Sequence, residues 1–131
     1  MVKTYAIVTG VVRYKNRFLL LKRAPDSYTY PSRWSFCSGY IKEFEAAEDS
    51  VLREIKEETG LKVRIAKAAT PFYFTHLGKR WVVLGFLCTA SSDKVTLCHE
   101  NVAYRWVSKK EIKNYPLVPK LGKNLKMLGL L

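Results

Sequence analysis

Acidic residues are scarce in this chain: 11 aspartates and glutamates compare with 23 lysines and arginines, which gives a net charge of +12. Cysteines are scarcer still, since only Cys37, Cys88 and Cys98 occur and no two form a Cys-x-x-Cys pair. An odd number of scattered thiols argues against a disulfide framework and against a zinc site, and it favours a reducing compartment. No apolar run approaches the roughly 20 residues that a membrane-spanning helix needs, and no signal peptide opens the chain. We therefore expect a cytoplasmic protein with no membrane association.

The few acidic residues are concentrated in one segment. Seven of the 11 lie between residues 39 and 61, namely Glu43, Glu45, Glu48, Asp49, Glu54, Glu57 and Glu58. A negative island in a basic body suits a polyanionic ligand that is bridged by metal cations, because the cations occupy the island while the surroundings attract phosphates. The excess of positive charge is equally compatible with solubility or with loose attachment to nucleic acid.

The predicted order of elements has strands on both sides of a central helix and further helices near the end, as expected for one α/β or α+β domain that covers residues 1–131. Strands are predicted over residues 5–12, 18–21, 34–37, 62–68, 71–75, 80–89, 95–97 and 103–107, and the apolar strand 80–89 is expected at the centre of the sheet. One helix is expected from about residue 46 to Gly60. A second begins at a Ser108–Glu111 capping box and runs to about residue 115, and a short third one contains Leu121, Leu125 and Leu128.

Three carboxylates share one face of the first predicted helix. Glu54, Glu57 and Glu58 are spaced i, i+3 and i+4, so their side chains are neighbours on the helix surface. Unpaired like charges at this spacing repel one another by a few tenths of a kcal/mol per pair. The arrangement therefore indicates a bound cation, and Mg²⁺ in particular combines a few carboxylates with waters and substrate phosphates.

The whole segment from Gly39 to Leu61, GYIKEFEAAEDSVLREIKEETGL, resembles the Nudix box at every defining position. These positions are Gly39, Glu45, Arg53, Glu54, Ile55, Glu57, Glu58, Gly60 and Leu61. The resemblance implies the Nudix fold, an α/β/α sandwich in which a mixed sheet lies between helices. It also implies hydrolysis of a pyrophosphate bond in a nucleoside diphosphate derivative, with Mg²⁺ or possibly Mn²⁺ neutralising the phosphates and activating water.

The same resemblance implies roles for individual residues of the box. Glu57 and Glu58 are the leading metal ligands, and Glu54 serves either as a further ligand or as the base on the attacking water. Arg53 either orients Glu54 through a charge-assisted hydrogen bond or contacts the substrate. The expected catalytic residues are thus Glu54, Arg53 and Glu57.

Three further residues are candidate metal ligands, and each of them has an alternative role. Glu45 either ligates the metal or holds its loop by accepting hydrogen bonds from backbone N–H groups. Gly39 either lends its carbonyl to the metal or is a plain turn glycine. Glu100 precedes the last strand, where the family often has a glutamate, and is either a ligand or base or a solvated loop acid.

Candidate substrate-binding residues are one cation and several aromatic side chains. Arg23 ends the second strand, where family members often have a phosphate-binding basic residue. The aromatic residues that could stack a base are Trp34, Tyr73, Phe74 and Trp81, although most aromatic residues on strands belong to a core. The chain departs from the family by having Cys37-Ser38-Gly39 in place of Pro-Gly-Gly and Phe44-Glu45 in place of Gly-Glu, so Phe44 could narrow the site or contact the nucleotide.

The first expectation for function is a cytosolic Mg²⁺-dependent pyrophosphohydrolase that converts (d)NTPs to nucleoside monophosphates. Hydrolysis of ADP-ribose, dinucleotide polyphosphates or capped RNA ends is the alternative, and the positive charge leaves RNA open as a partner. A non-catalytic nucleotide-binding regulator on the same fold is a further alternative, which loss of a metal-binding glutamate would indicate. The sequence does not distinguish a monomer from a homodimer.

Overall fold

The computed structural model describes residues 2–119 and 121–130, and in these residues eight strands form one mixed sheet. The strands are β1 Lys3–Tyr14, β2 Arg17–Arg23, β3 Trp34–Ser35, β4 Cys37–Tyr40, β5 Val63–Ala68, β6 Phe72–His76, β7 Lys79–Ala90 and β8 Asn101–Val107. The main strand order is β3-β2-β1-β7-β5, while β4 pairs with β1, β6 with β7 and β8 with β2.

The centre of the sheet is the parallel pair β1 and β7. Their register runs from Lys3 opposite Lys79 to Arg13 opposite Thr89, and every other strand pair is antiparallel. The prediction that the apolar strand 80–89 is central is therefore confirmed. A strand that is buried on both faces needs apolar residues along its length, which is the pattern that β7 has from Val83 to Cys88.

The helix α1, Ala47–Thr59, covers one face of the sheet. Val51 and Ile55 are buried against β1, where Gly10 lets the helix approach: a Cβ atom at Gly10 would lie 2.7 Å from Cδ1 of Ile55. The helix ends as predicted at Gly60, whose φ of 75° is a left-handed conformation that glycine adopts without steric cost. Its amide donates to the carbonyl of Lys56 at 2.9 Å.

The helix α2, Leu121–Met127, and a 3₁₀ turn at Ile112–Asn114 cover the opposite face. Leu121, Leu125 and Leu128 are buried in a second core cluster with Val11 and Leu87. The predicted terminal helix and the sandwich of a mixed sheet between helices are thus confirmed. In the described ranges no helix is both long and apolar enough to span a membrane.

Two predicted elements and one strand boundary were wrong. Residues 95–97 are not a strand, because the Thr96 amide donates to the carbonyl of Thr59 at 2.9 Å and the segment packs at the end of α1. The capping box is present, with hydrogen bonds of 2.9 and 3.3 Å between Ser108 and Glu111, but only the short 3₁₀ turn follows it. Tyr115 is extended, with φ −103° and ψ 142°, since a residue before a proline avoids the helical region. The strand predicted over 34–37 is divided into β3 and β4, which pair with β2 and β1 respectively.

Candidate active site

Arg53 of α1 connects the acidic residues of the site. Its Nε and Nη2 donate to the two carboxylate oxygens of Glu45 at 2.8 and 2.9 Å. Its Nη1 donates to Glu54 at 2.9 Å and to Glu57 at 3.2 Å, and Nη2 also donates to the carbonyl of Tyr40 at 3.2 Å. The predicted hydrogen bond to Glu54 is therefore present, within a network that joins the helix to β4 and to the loop between them.

Glu45 is held as a loop anchor. In addition to Arg53, the backbone N–H of Lys42 donates to its Oε1 at 3.1 Å. The hydrogen bond from Arg53, followed by that from Lys42, lowers the pKa of Glu45 to about 2. Both carboxylate oxygens are engaged in these bonds, so the geometry favours the loop-holding alternative for Glu45 over metal ligation.

Phe44, the residue before Glu45, is one departure of this chain from the Nudix box pattern. Phe44 has a φ of 65°, which side-chain-bearing residues rarely adopt and glycine adopts freely. Its side chain is fully exposed, so the phenyl ring projects from the loop without packing against the protein. This chain has a residue with an unfavourable backbone conformation and a large apolar side chain at this position.

Glu58 is the buried acid of the site, with a relative exposure of 8%. The backbone N–H of Ser38 in β4 donates to its Oε1 at 3.2 Å. Burial, followed by the nearby charge of Glu54 and that of Glu100, raises the pKa of Glu58 to about 8, although the Ser38 hydrogen bond and Arg23 act in the opposite direction. Burial also raises the pKa of Glu54, against the effect of Arg53. A cation placed among these carboxylates would compensate the cost of ionising them.

Gly39 lies directly against one of these acids. A Cβ atom built on Gly39 would overlap the carboxylate of Glu54. Its backbone conformation is not left-handed, so glycine is required here for close approach and not for backbone freedom. The Gly39 backbone is thus in direct contact with the acidic face of α1, and the role of its carbonyl as a metal ligand stays a prediction.

The donor set fits a divalent cation that brings its own oxygen ligands. In the described parts of the chain no three carboxylate, histidine or cysteine side chains are grouped so that they alone could hold a metal ion. Glu57 is half-exposed and Glu54 faces Arg53, while the Gly39 backbone lies beside Glu54. Mg²⁺ characteristically uses one or two carboxylates plus waters and substrate phosphates, so a preformed cage is not needed.

A cavity of about 380 Å³ opens beside Glu58. Its walls include Glu100 and Arg23, so the structure brings these two predicted residues together with Glu58 at one pocket. Arg23 donates from Nη1 to Thr29 at 3.3 Å, while its buried Nε has no hydrogen-bond partner. The sequence analysis did not identify the other polar and aromatic wall residues as ligand-binding, and these are Asp26, Ser27, Tyr28, Thr29, Ser35, Phe36, Ser38, His99 and Asn101.

The aromatic candidates lie in different places. Trp34 is 8% exposed and packs edge-on against Tyr115 at 5.1 Å in the α2-side core, so the structure does not bring its ring to the pocket. Tyr73 is 69% exposed on an outer strand. Trp81 is half-buried and stacks on Tyr5 with ring centroids 5.1 Å apart.

The sequence matches the model of the NUDIX domain family over residues 4–128. The chain belongs to this family and is a Nudix hydrolase, a class of enzymes that generally uses a divalent metal ion.

Individual relatives cover almost the whole chain. The nucleoside triphosphatase NudI of Klebsiella pneumoniae strain 342 is 30% identical, over 95% of this chain and 96% of the relative, and NudI of Escherichia coli strain UMN026 is 28% identical over the same shares. Among solved structures, a MutT protein from Methanosarcina mazei Go1 superposes with a TM-score of 0.84 at 25% identity, covering 98% of this chain and 94% of that one. A C. elegans Ap4A hydrolase superposes with a TM-score of 0.78 at 21% identity, over 95% of each chain.

Because Glu58 is buried, we expect the stability of the metal-free protein to depend on pH. The unfolded chain releases this proton near 4.5, whereas the folded chain keeps it until about pH 8. The contribution of Glu58 to stability is therefore fully present below pH 4.5 and is lost as the pH rises through about 8, by roughly 2–4 kcal/mol. Urea unfolding in EDTA across this range measures the effect. Glu58→Gln should remove most of the decline and the exposed Glu48→Gln should not; an unchanged decline in Glu58→Gln would contradict the prediction.

Proposed function

We propose that this enzyme is a Mg²⁺-dependent nucleoside triphosphate pyrophosphohydrolase that releases a nucleoside monophosphate. The observation that carries the proposal is the acidic face of α1, whose buried Glu58 lines the pocket that also holds Arg23. The name of the NudI relatives, nucleoside triphosphatase, supports a triphosphate substrate. The three free cysteines support a reducing cytoplasm as the place of action.

Residues of α1 and β4 would hold the cation and activate the attacking water. Glu57 and Glu58 would hold the cation, together with the carbonyl of Gly39. Once bound, a divalent cation neutralises phosphate charge and lowers the pKa of a coordinated water. Glu54 lies beside Gly39 and supplies either a further oxygen ligand or the base that accepts a proton from water.

Two arginines belong to the proposed site, and they have different roles. Arg53 donates to Glu54 and Glu57 and so orients both carboxylates toward one side of the helix. Arg23 has an unpartnered Nε at the pocket that Glu58 lines, and its guanidinium suits a phosphate oxygen. Phosphoryl-transfer chemistry depends mainly on such positioning and charge compensation, because the protein forms few covalent bonds.

The substrate class is tested by a panel of nucleotides with Mg²⁺, Mn²⁺ or EDTA. The panel contains the common NTPs and dNTPs, ADP-ribose, a dinucleotide tetraphosphate and a capped RNA. We expect NTPs or dNTPs to be the preferred substrates, with monophosphate and pyrophosphate as products and no turnover in EDTA.

Any other result of the nucleotide panel would contradict a specific part of the proposal. Preference for ADP-ribose, a dinucleotide or capped RNA would replace the proposed substrate but keep the hydrolase. Release of orthophosphate and a diphosphate would overturn the proposed bond of cleavage. Turnover that persists in EDTA would overturn the metal requirement.

A further inference from the structure

A row of aromatic side chains crosses four strands on the face of the sheet that carries α2. Tyr40 of β4, Tyr5 of β1, Trp81 of β7 and Phe74 of β6 form this aromatic row. Trp81 is in register with both Tyr5 and Phe74, and directly paired residues present their side chains on the same face. The ring centroid of Tyr5 is 5.1 Å from that of Trp81 and 6.2 Å from that of Tyr40.

The row remains accessible because α2 covers a different part of this face. Along β7 the residues of this face that lie nearer to α2, Val83 and Leu87, are buried, whereas Trp81 is only half-buried. Tyr40 at one end of the row is 57% exposed. Tyr5, Trp81 and Phe74 are half-buried, so the row is a contiguous and partly exposed aromatic surface, which indicates a contact site for a partner.

Two lysines lie beside the aromatic row on the same face. Lys3 and Lys79 are exposed, are in register with each other, and each is two residues from its ring, Tyr5 or Trp81. The ammonium of Lys79 is 5.4 Å from the ring centroid of Tyr5. Like charges placed directly opposite on neighbouring strands destabilise a sheet unless an anion compensates them.

No acidic side chain of these strands provides that compensation. The chain has no aspartate or glutamate in residues 1–25 or 59–92, which include β1, β6 and β7. In residues 2–119 and 121–130, all ion pairs involve Arg53. The two lysines are therefore available for an external anion.

We propose that this surface binds single-stranded nucleic acid, with bases on the aromatic row and phosphates on Lys3 and Lys79. Rings that accept stacked bases beside cations that contact the backbone are the combination such ligands require. Four strands at a spacing of about 4.8 Å give a row of roughly 14 Å, which exceeds one base and indicates at least two nucleotides. The inference goes beyond the proposed hydrolysis, since it concerns binding to a polymer.

The surface is connected to the active site through Tyr40. This residue directly follows Gly39, and its carbonyl accepts a hydrogen bond from Arg53 at 3.2 Å. A strand bound on the row therefore reaches the β4 segment that contacts the acids of α1. An acidic peptide would satisfy the lysines, but it would leave the aromatic row without a stacking partner.

Fluorescence anisotropy of a labelled oligouridylate of about ten nucleotides, long enough for the whole row, tests the proposal in EDTA. We expect Lys3→Ala with Lys79→Ala to weaken binding about tenfold and to reduce the dependence of log affinity on log salt by about 1 to 1.5 units. The matched control, Lys109→Ala with Lys110→Ala, removes the same charge from an exposed turn and should change affinity less than about twofold.

A second pair of variants tests how much the aromatic row contributes to oligonucleotide binding. Tyr40→Ala should weaken binding about tenfold, whereas Tyr73→Ala, which removes an even more exposed ring from the other face of the sheet, should not. The proposal is overturned if the parent does not bind, if the two lysine double variants lose equal affinity, or if Tyr40→Ala binds normally. It is also overturned if UTP competes as tightly as the oligonucleotide, because a mononucleotide site would then explain the surface.

This experiment is independent of the proposed hydrolysis. Glu57→Gln should bind the oligonucleotide as tightly as the parent, because EDTA removes the metal and the substitution lies outside the aromatic row. A parent that hydrolyses nucleotides without binding the oligonucleotide would remove only the present inference. An inactive parent that binds it would remove only the proposed hydrolysis.

Discussion

Glu57→Gln is expected to abolish nucleotide hydrolysis, with a loss of about 10³-fold or more in kcat, and to leave the fold intact. Glutamine keeps the shape of glutamate but removes the charge that would bind the cation, and the loss corresponds to roughly 4 kcal/mol in the barrier. The Glu57 side chain is 54% exposed and its ion pair is a single 3.2 Å contact with Arg53. Because exposed ion pairs contribute about 0–1 kcal/mol, the change in the free energy of unfolding should be small.

The control for this prediction is Glu48→Gln. Glu48 lies in the first turn of the same helix and is exposed, so the substitution removes the same charge from α1 without reaching the acidic face. We expect it to retain parental turnover. Steady-state kinetics with Mg²⁺, alongside urea unfolding of all three proteins, makes the comparison. Parental turnover in Glu57→Gln would remove Glu57 from the site, and a loss caused by unfolding would appear in the denaturation curves.

Gly39→Ala is expected to reduce hydrolysis about 100-fold, because the added methyl group would occupy the position of the Glu54 carboxylate. Either β4 or Glu54 must then move, and displacements of about 1 Å at a reacting centre have effects of this size. The overpacking should also lower the free energy of unfolding by about 1–3 kcal/mol. Kinetics and urea unfolding on the same preparations separate the two effects.

Two other glycines provide matched controls. Gly10→Ala would place a methyl group 2.7 Å from Ile55, so we expect a similar loss of stability without a change in turnover per folded molecule. Gly122 lies in α2 with open space around it, and Gly122→Ala should raise stability by up to about 1 kcal/mol. Equal losses of turnover in Gly39→Ala and Gly10→Ala would show that stability, and not the contact with Glu54, explains the effect.

The sequence could predict the acidic helix because the rules that apply there are local. The spacing of Glu54, Glu57 and Glu58 determines that they share a face, and Gly60 ends the helix through its own backbone preference. The central position of β7 was also predictable, because burial on both faces requires a continuous apolar run. The roles of these acids in metal binding and catalysis stay predictions that the proposed variants test.

The loop residues of the pocket wall, Asp26 to Thr29, could not be predicted, because partners distant in sequence position this loop. The amide of Arg23 donates to the carbonyl of Arg33 at 2.9 Å, and the amide of Ala24 donates to that of Glu100 at 3.2 Å. These bonds place Tyr28 beside the segment that contains His99, although no motif joins the two. Trp34 could not be assigned to the core because β3 has only two residues, and alternation needs a longer strand to show which side is buried.

The parallel pairing of β1 with β7 has a consequence for how the chain matures during synthesis. Lys3 and its neighbours leave the ribosome long before Lys79 and the strand that it begins, so the central ladder cannot close until most of the chain has been translated. Until then one edge of an apolar strand lacks its native partner and can pair with other chains. Folding of this protein should therefore be slow relative to helical proteins of the same length, and its yield should depend on chaperones that shield nascent β-strands.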